Sequence, residues 1–194
     1  STKKTNQSTK KDQAQMLDFI NQSPKNLVGD QDADPLNPLD AETLDLVHCI
    51  VRAADGRKAD DIVALKVHHI STLTSVLVVL SGNSRPQNQA IAAAIVKDVK
   101  ETFDGQTPGG SDATGIPEGS AESGWMLLDY GTVMVHIMTP KSRLFYNVQG
   151  QWEQKGAQPL PLQHVLVPNS GAPGVLPGAT VPEPEEEEED PFWS

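Results

Sequence analysis

Trp125-Met-Leu-Leu-Asp129-Tyr130-Gly131-Thr-Val-Met-Val-His136-Ile-Met138 is the stretch that decides the fold. Two apolar runs flank one glycine, and glycine reverses a strand at no steric cost. The spacing predicts a hairpin with strands over 125–130 and 132–138. On the second strand a period of two puts Val133, Val135 and Ile137 on one face. Met134, His136 and Met138 take the other. Apolar groups on both faces call for a sheet covered on both sides.

The neighbouring segments supply that cover. Residues 75–80, Ser-Val-Leu-Val-Val-Leu, form a β-branched run suited to the interior of a sheet. Ile62–Val67 alternates, with Val63, Leu65 and Val67 on one face. Asp40 is a good N-cap for a helix to Gly56 whose stripe is Leu44, Val47, Ile50, Val51 and Ala54. Ser84 and Gln87 form a capping box, with Pro86 in the first turn of a second helix. Its stripe is Ile91, Ala94, Ile95, Val99 and Phe103. Thr139-Pro140 opens a last helix with the stripe Leu144, Phe145, Val148 and Trp152, interrupted by Gly150. The order α-β-β-α-β-β-α predicts one compact α/β domain over 40–155, a mixed sheet flanked by helices. If parallel, the strands of the 75–130 unit should join by a right-handed crossover. The loop from Gly105 to about Gly124 is long enough to be mobile or functional.

Composition confines the fold to this middle. The chain has 194 residues, 37% apolar, with 15 glycines and 15 prolines. Acids and bases number 6 and 5 in residues 1–40, 13 and 10 in 41–155, and 7 and 0 in 156–194; these sum to the net −11. Residues 1–39 read as a disordered arm, with Met16–Ile20 able to form a helical docking segment. Residues 156–194 carry eight of the 15 prolines and read as a disordered tail, with Leu160, Leu162, Val165, Leu166 and Val167 able to tuck back onto the domain. One cysteine, Cys49, excludes a disulfide scaffold and a thiolate zinc cluster. No apolar run approaches the ~20 residues of a membrane span, and no secretory signal is visible. The expected compartment is the cytoplasm, with the plastid as the alternative.

Signals for chemistry are sparse. Ser81–Gln87 is a strand-to-helix turn, where an anion could bind or the helix could simply be capped. Two-metal nucleotidyl transfer wants two carboxylates one residue apart on a strand, and Asp129 has Leu127 in that place. Ser81 or Ser84, His136 and Asp129 can be assembled into a triad only on paper. His68-His69 is a weak metal signal. Arg52, Arg57 and Lys58 lie near one helix end, where the helix dipole explains them, and no basic stripe suggests sequence-specific nucleic-acid binding. Trp125, Tyr130 and Met134 are large groups on a hairpin; they suit either an interface or the core.

The Trp125–Ile137 stretch resembles the signature strand pair of the ribosomal silencing factor, or Iojap, family. Asp61-Ile-Val-Ala-Leu-Lys-Val resembles its first strand, Ser81-Gly-Asn-Ser84 its strand-to-helix turn, and Pro117-Glu-Gly119 its Glu-Gly loop. The helix with Arg143, Tyr146 and Trp152 resembles its closing helix. The similarity covers roughly 41–153. It implies a nucleotidyltransferase-like fold without the metal carboxylates, no cofactor and no enzymatic activity. Family members bind the large ribosomal subunit through the fourteenth ribosomal protein of its series, on the intersubunit face, and block subunit joining; organelle members assist large-subunit maturation. Mapped onto this chain, the resemblance points to Trp125, Asp129, Tyr130 and Gly131 at the partner interface, with Glu118 second. Trp125 and Tyr130 would be apolar anchors, and Asp129 would accept hydrogen bonds or pair with a basic ribosomal protein. Ser75 and Thr132 stand where the family commonly has Asp, and Gln151 where it has Leu. A nucleotide-binding enzyme using Ser81–Ser84 and Asp129 is the competing class. The oligomeric state is open. The acidic run Glu183–Asp190, closed by Phe192-Trp193, is either a solvating tail or a ligand for a basic, apolar groove.

Overall fold

The computed structural model describes residues 17, 38–110, 117–120 and 123–166. Helix α1 (Ala41–Gly56) begins at Asp40, whose carboxylate accepts the Thr43 backbone N–H at 2.7 Å and Thr43 Oγ1 at 2.8 Å. These bonds hold the Asp40 carboxyl below its usual pKa. Then come β1 (Asp60–Lys66), β2 (Val76–Ser81), α2 (Arg85–Thr102), β3 (Glu118–Ser120), β4 (Trp125–Asp129) and β5 (Val133–Met138). The described fold closes with α3 (Pro140–Tyr146), α4 (Val148–Gln154) and β6 (Gln158–Leu160).

The six described strands make one sheet in the order β3-β4-β5-β2-β1-β6. Only β2 and β5 run parallel; the other neighbours are antiparallel. Every residue of β2 is buried, as a continuous Val/Leu run in an interior strand must be. Against one face lie α1 and α2, packing Leu46, Ile50, Ile91 and Ile95 on Val78, Val135 and Ile137. The opposite face holds Leu65, Leu77, Trp125 and Met138 beneath Val148 and Trp152 of α4. The predicted hairpin is β4 and β5, with Asp129 opposite Met134. Gly131 turns it at φ 77°, a region that only glycine enters cheaply.

Several expectations need correction. The sheet gains β3 and β6, too short for their patterns to stand out in the sequence. β4 is antiparallel to β5 and so to β2; the parallel partner of β2 is the second hairpin strand, and the crossover ends one strand further along the chain. The expected last helix is two helices, broken at Asn147 with φ 44°. The break turns the expected stripe apart: Val148 and Trp152 are buried, while Leu144 and Phe145 are 84% and 79% exposed. The fold also continues past residue 155, because β6 pairs with β1 and Leu162 and Val165 enter the α1–α2 core. Apart from Leu17 and residues 38–39, the N-terminal arm lies outside the described residues, and so does the chain beyond Leu166. Among the described residues no helix is long and apolar enough to cross a membrane.

Asn147 serves two helices at once. It takes the left-handed conformation that ends α3, and its side chain accepts the Gly150 N–H at 3.2 Å to start α4. Asn147→Ala loses both the tolerated conformation and the cap. Thermal unfolding should show a destabilisation of about 2 kcal/mol; an unchanged midpoint would contradict the two-helix reading.

Candidate functional site

Strand parity separates the two aromatic residues of the signature. Positions 125, 127 and 129 of β4 face the α3–α4 side; 126 and 128, and Tyr130 just past the strand, face α1 and α2. Trp125 and Tyr130 therefore enter opposite cores, and neither exposes any surface. In this structure both lie in the core, which is the alternative to the apolar anchors that the resemblance implies. Trp125 Nε1–H donates to His136 Nδ1 at 3.0 Å. The Tyr146 ring lies 4.7 Å from Trp125 and, at 4.9 Å, edge-on to exposed Phe145. The Tyr130 hydroxyl is buried with no hydrogen-bond partner among the described residues, and burial pushes its pKa up.

The other three expected residues stay near the surface at the far end of the hairpin. Asp129 is exposed and its Oδ1 accepts the Gly131 N–H at 2.8 Å. Glu118 is exposed on β3 and sits opposite Leu127. Directly paired residues share a face, so Glu118 and Asp129 are diagonal neighbours on one side of the sheet. Gly131 is half-buried beside them. They form an acidic edge with a tight turn at its end.

At the opposite end, where β2 and β5 finish, lies a polar cluster. Ser84 Oγ accepts the Gln87 N–H at 3.2 Å, and Gln87 Oε1 accepts the Asn83 N–H at 2.8 Å. Gln87 Nε2 reaches the Lys58 carbonyl at 2.9 Å, and Asn83 Nδ2 reaches Asp60 Oδ2 at 2.7 Å. The capping reading of Ser81–Gln87 thus describes how these groups are used. A Cβ at Gly82 would meet the Asn88 side-chain amide, which would have to shift. Arg143, which the sequence singled out only through the family, ties α3 to this end. Its Nη1 donates to the Asp61 carbonyl at 2.7 Å and to Ser81 Oγ at 3.1 Å, and its Nη2 lies 3.6 Å from Asp61 Oδ2.

This geometry scatters the alternative sites. Asp129 pairs with Met134 and Ser81 with Met138, which places the two about 16 Å apart by strand rise and spacing. A nucleotide site or triad using both is not assembled. His136 is engaged with Trp125, while Ser81 holds Arg143. Cys49 is half-buried, with Sγ 3.6 Å from Thr102 Oγ1, and burial pushes its thiol pKa up. His69 Nε2 lies 2.7 Å from the Gly156 carbonyl. Among the described residues no group of three potential ligands could hold a metal.

The family model described as "Ribosomal silencing factor during starvation" matches residues 40–187. The chain belongs to this family. A ribosomal silencing factor of Halalkalibacterium halodurans is 32% identical over 108 residues, 56% of this chain and 86% of that protein. Maize Protein Iojap, chloroplastic, is 32% identical over 110 residues, covering 57% of this chain and 44% of the plant protein. A crystal structure of a Chromobacterium violaceum protein superposes with a TM-score of 0.51 at 26% identity, covering 58% of this chain and 87% of that one. The family match extends beyond the expected 41–153 into residues that the structure does not describe.

Two predictions separate support from contact in this family's signature. Tyr130→Phe removes a buried hydroxyl without a partner among the described residues and should leave the unfolding midpoint unchanged or raise it. Trp125→Ala should cost about 4 kcal/mol; a loss under about 1 kcal/mol would mean that Trp125 does not hold the core.

His136 gives the pH test. Because Nδ1 accepts from Trp125, the ring must be neutral, and burial pushes its pKa down to about 4. The unfolded side chain takes up its proton near pH ~6.5. The stability from neutral His136 is complete above that pH and is lost as pH falls from about 6.5 to 4, by about 3 kcal/mol. His136→Gln keeps an acceptor and should flatten this part of the stability curve; an unaltered slope would contradict the assignment.

Proposed function

We propose that this protein binds the large ribosomal subunit through a ribosomal protein on its intersubunit face, and that it blocks joining of the small subunit without catalysing a reaction. The observation that carries the reading is family membership over most of the described fold, together with a defined acidic edge. Glu118 and Asp129 face a partner's basic groups there, and the tight Gly131 turn lets the partner approach. Buried Trp125 and Tyr130 hold this edge from behind. A chain of net charge −11 is drawn toward a basic partner, which speeds encounter more than it deepens affinity. The cytoplasm is the proposed compartment; the chloroplastic name of the maize relative keeps the plastid as the alternative.

Cosedimentation with isolated subunits on a sucrose gradient tests this. Wild type should travel with the large subunit and lower the peak of joined ribosomes. The Glu118→Gln/Asp129→Asn variant removes both charges, while the introduced side-chain amide still offers an acceptor to the Gly131 N–H. Its association should weaken roughly fivefold at low salt. Equal association of variant and wild type would place the contact elsewhere, and absence of wild type from the large-subunit fractions would overturn the function.

A further inference from the structure

Helix α3 presents an apolar pair that no described residue covers. Leu144 and Phe145 are 84% and 79% exposed, and none of the seven residues of α3 is buried. Two side chains fix the helix from below: Arg143 through Asp61 and Ser81, and Tyr146 against Trp125. The apolar pair is therefore held outward at the end of the sheet where β2 and β5 finish.

The same end gathers cations that are scattered in the sequence. Gln87 Nε2 bonds to the Arg57 and Lys58 carbonyls, so the end of α1 adjoins the start of α2. Arg57, Lys58, Arg85 and Lys141 are all exposed. Asp60 is bonded to Asn83 and Asp61 to Arg143. The result is an apolar pair with Lys141 on its own helix and further cations across the same end.

The described chain also leaves the fold close by. Leu166 lines a groove with Ile62, and Ile62 follows Asp61, the residue that holds Arg143. Glu183 stands seventeen positions beyond Leu166, a reach of roughly 55 Å when extended. Beyond Glu183 come five further glutamates, Asp190, and then Phe192-Trp193. This order of acids followed by two aromatic rings complements cations beside an apolar pair.

We infer that residues 183–194 dock on this end of the domain, with Phe192 and Trp193 against Leu144 and Phe145 and the acidic run facing Arg57, Lys58, Arg85 and Lys141. Tethering gives the segment an effective concentration of ~1 mM, so even a contact of ~0.1 mM affinity is occupied about ten to one.

Hydrogen–deuterium exchange on the full chain tests the contact, read on the amides of Lys141–Tyr146. Wild type should exchange about tenfold more slowly there than Phe192→Ser/Trp193→Ser. The difference should vanish in Lys141→Glu and at about 1 M NaCl, where the screening length is about 3 Å, and should persist on roughly tenfold dilution. Equal exchange in wild type and the tail variant overturns the proposal. Insensitivity to salt and to Lys141→Glu overturns it as well. Protection that fades on dilution assigns the patch to a second copy, and protection that appears only with added large subunits assigns it to the ribosome; either result also overturns it.

Discussion

A buried indole N–H must find an acceptor, and Trp125 finds it in His136 one strand away. That bond fixes more than two side chains. It requires a neutral imidazole with Nδ1 unprotonated and so orients the ring, while burial lowers its pKa. The indole it holds meets the Tyr146 ring at 4.7 Å, tilted by 41°, and Tyr146 belongs to α3, a helix with no buried residue of its own. Within the α3–α4 layer this bond backs Tyr146, beside the Arg143 tie of α3 and the buried Val148 and Trp152 of α4; inside an apolar core, leaving either partner unpaired costs more than the bond gains. The α1–α2 layer is conventional by comparison, with aliphatic side chains on β2 and β5 meeting two amphipathic helices.

The parts of the fold legible in the sequence were those set by local rules. A glycine between two alternating runs marked the β4–β5 turn, an unbroken Val/Leu run marked the central strand, and Asp40 and Ser84 marked helix starts by capping chemistry. The two short strands were not legible, because three residues carry no periodicity; β3 and β6 exist by pairing with neighbours already in place. Nor was the break at Asn147. Asparagine tolerates the left-handed region, but only the opposite burial of Phe145 and Val148 shows that it uses it here.

The candidate site was legible in its residues and not in their directions. Trp125 and Tyr130 stand an odd number of positions apart along one strand, so they cannot share a face; parity already carried that information. Arg143 was harder. Its partner Asp61 lies 82 positions away, and no spacing rule connects them. The folded chain thereby acquires two unlike ends, an acidic edge at Glu118 and Asp129 and a cationic, apolar end at α3.

The most direct measurement of this account is an electron cryomicroscopy map of the protein bound to the large ribosomal subunit. The account predicts the edge carrying Glu118, Asp129 and Gly131 against a basic ribosomal protein, Trp125 and Tyr130 still buried, and α3 turned away from the contact. A map with α3 seated on the subunit, or with Trp125 swung out into the interface, would contradict it.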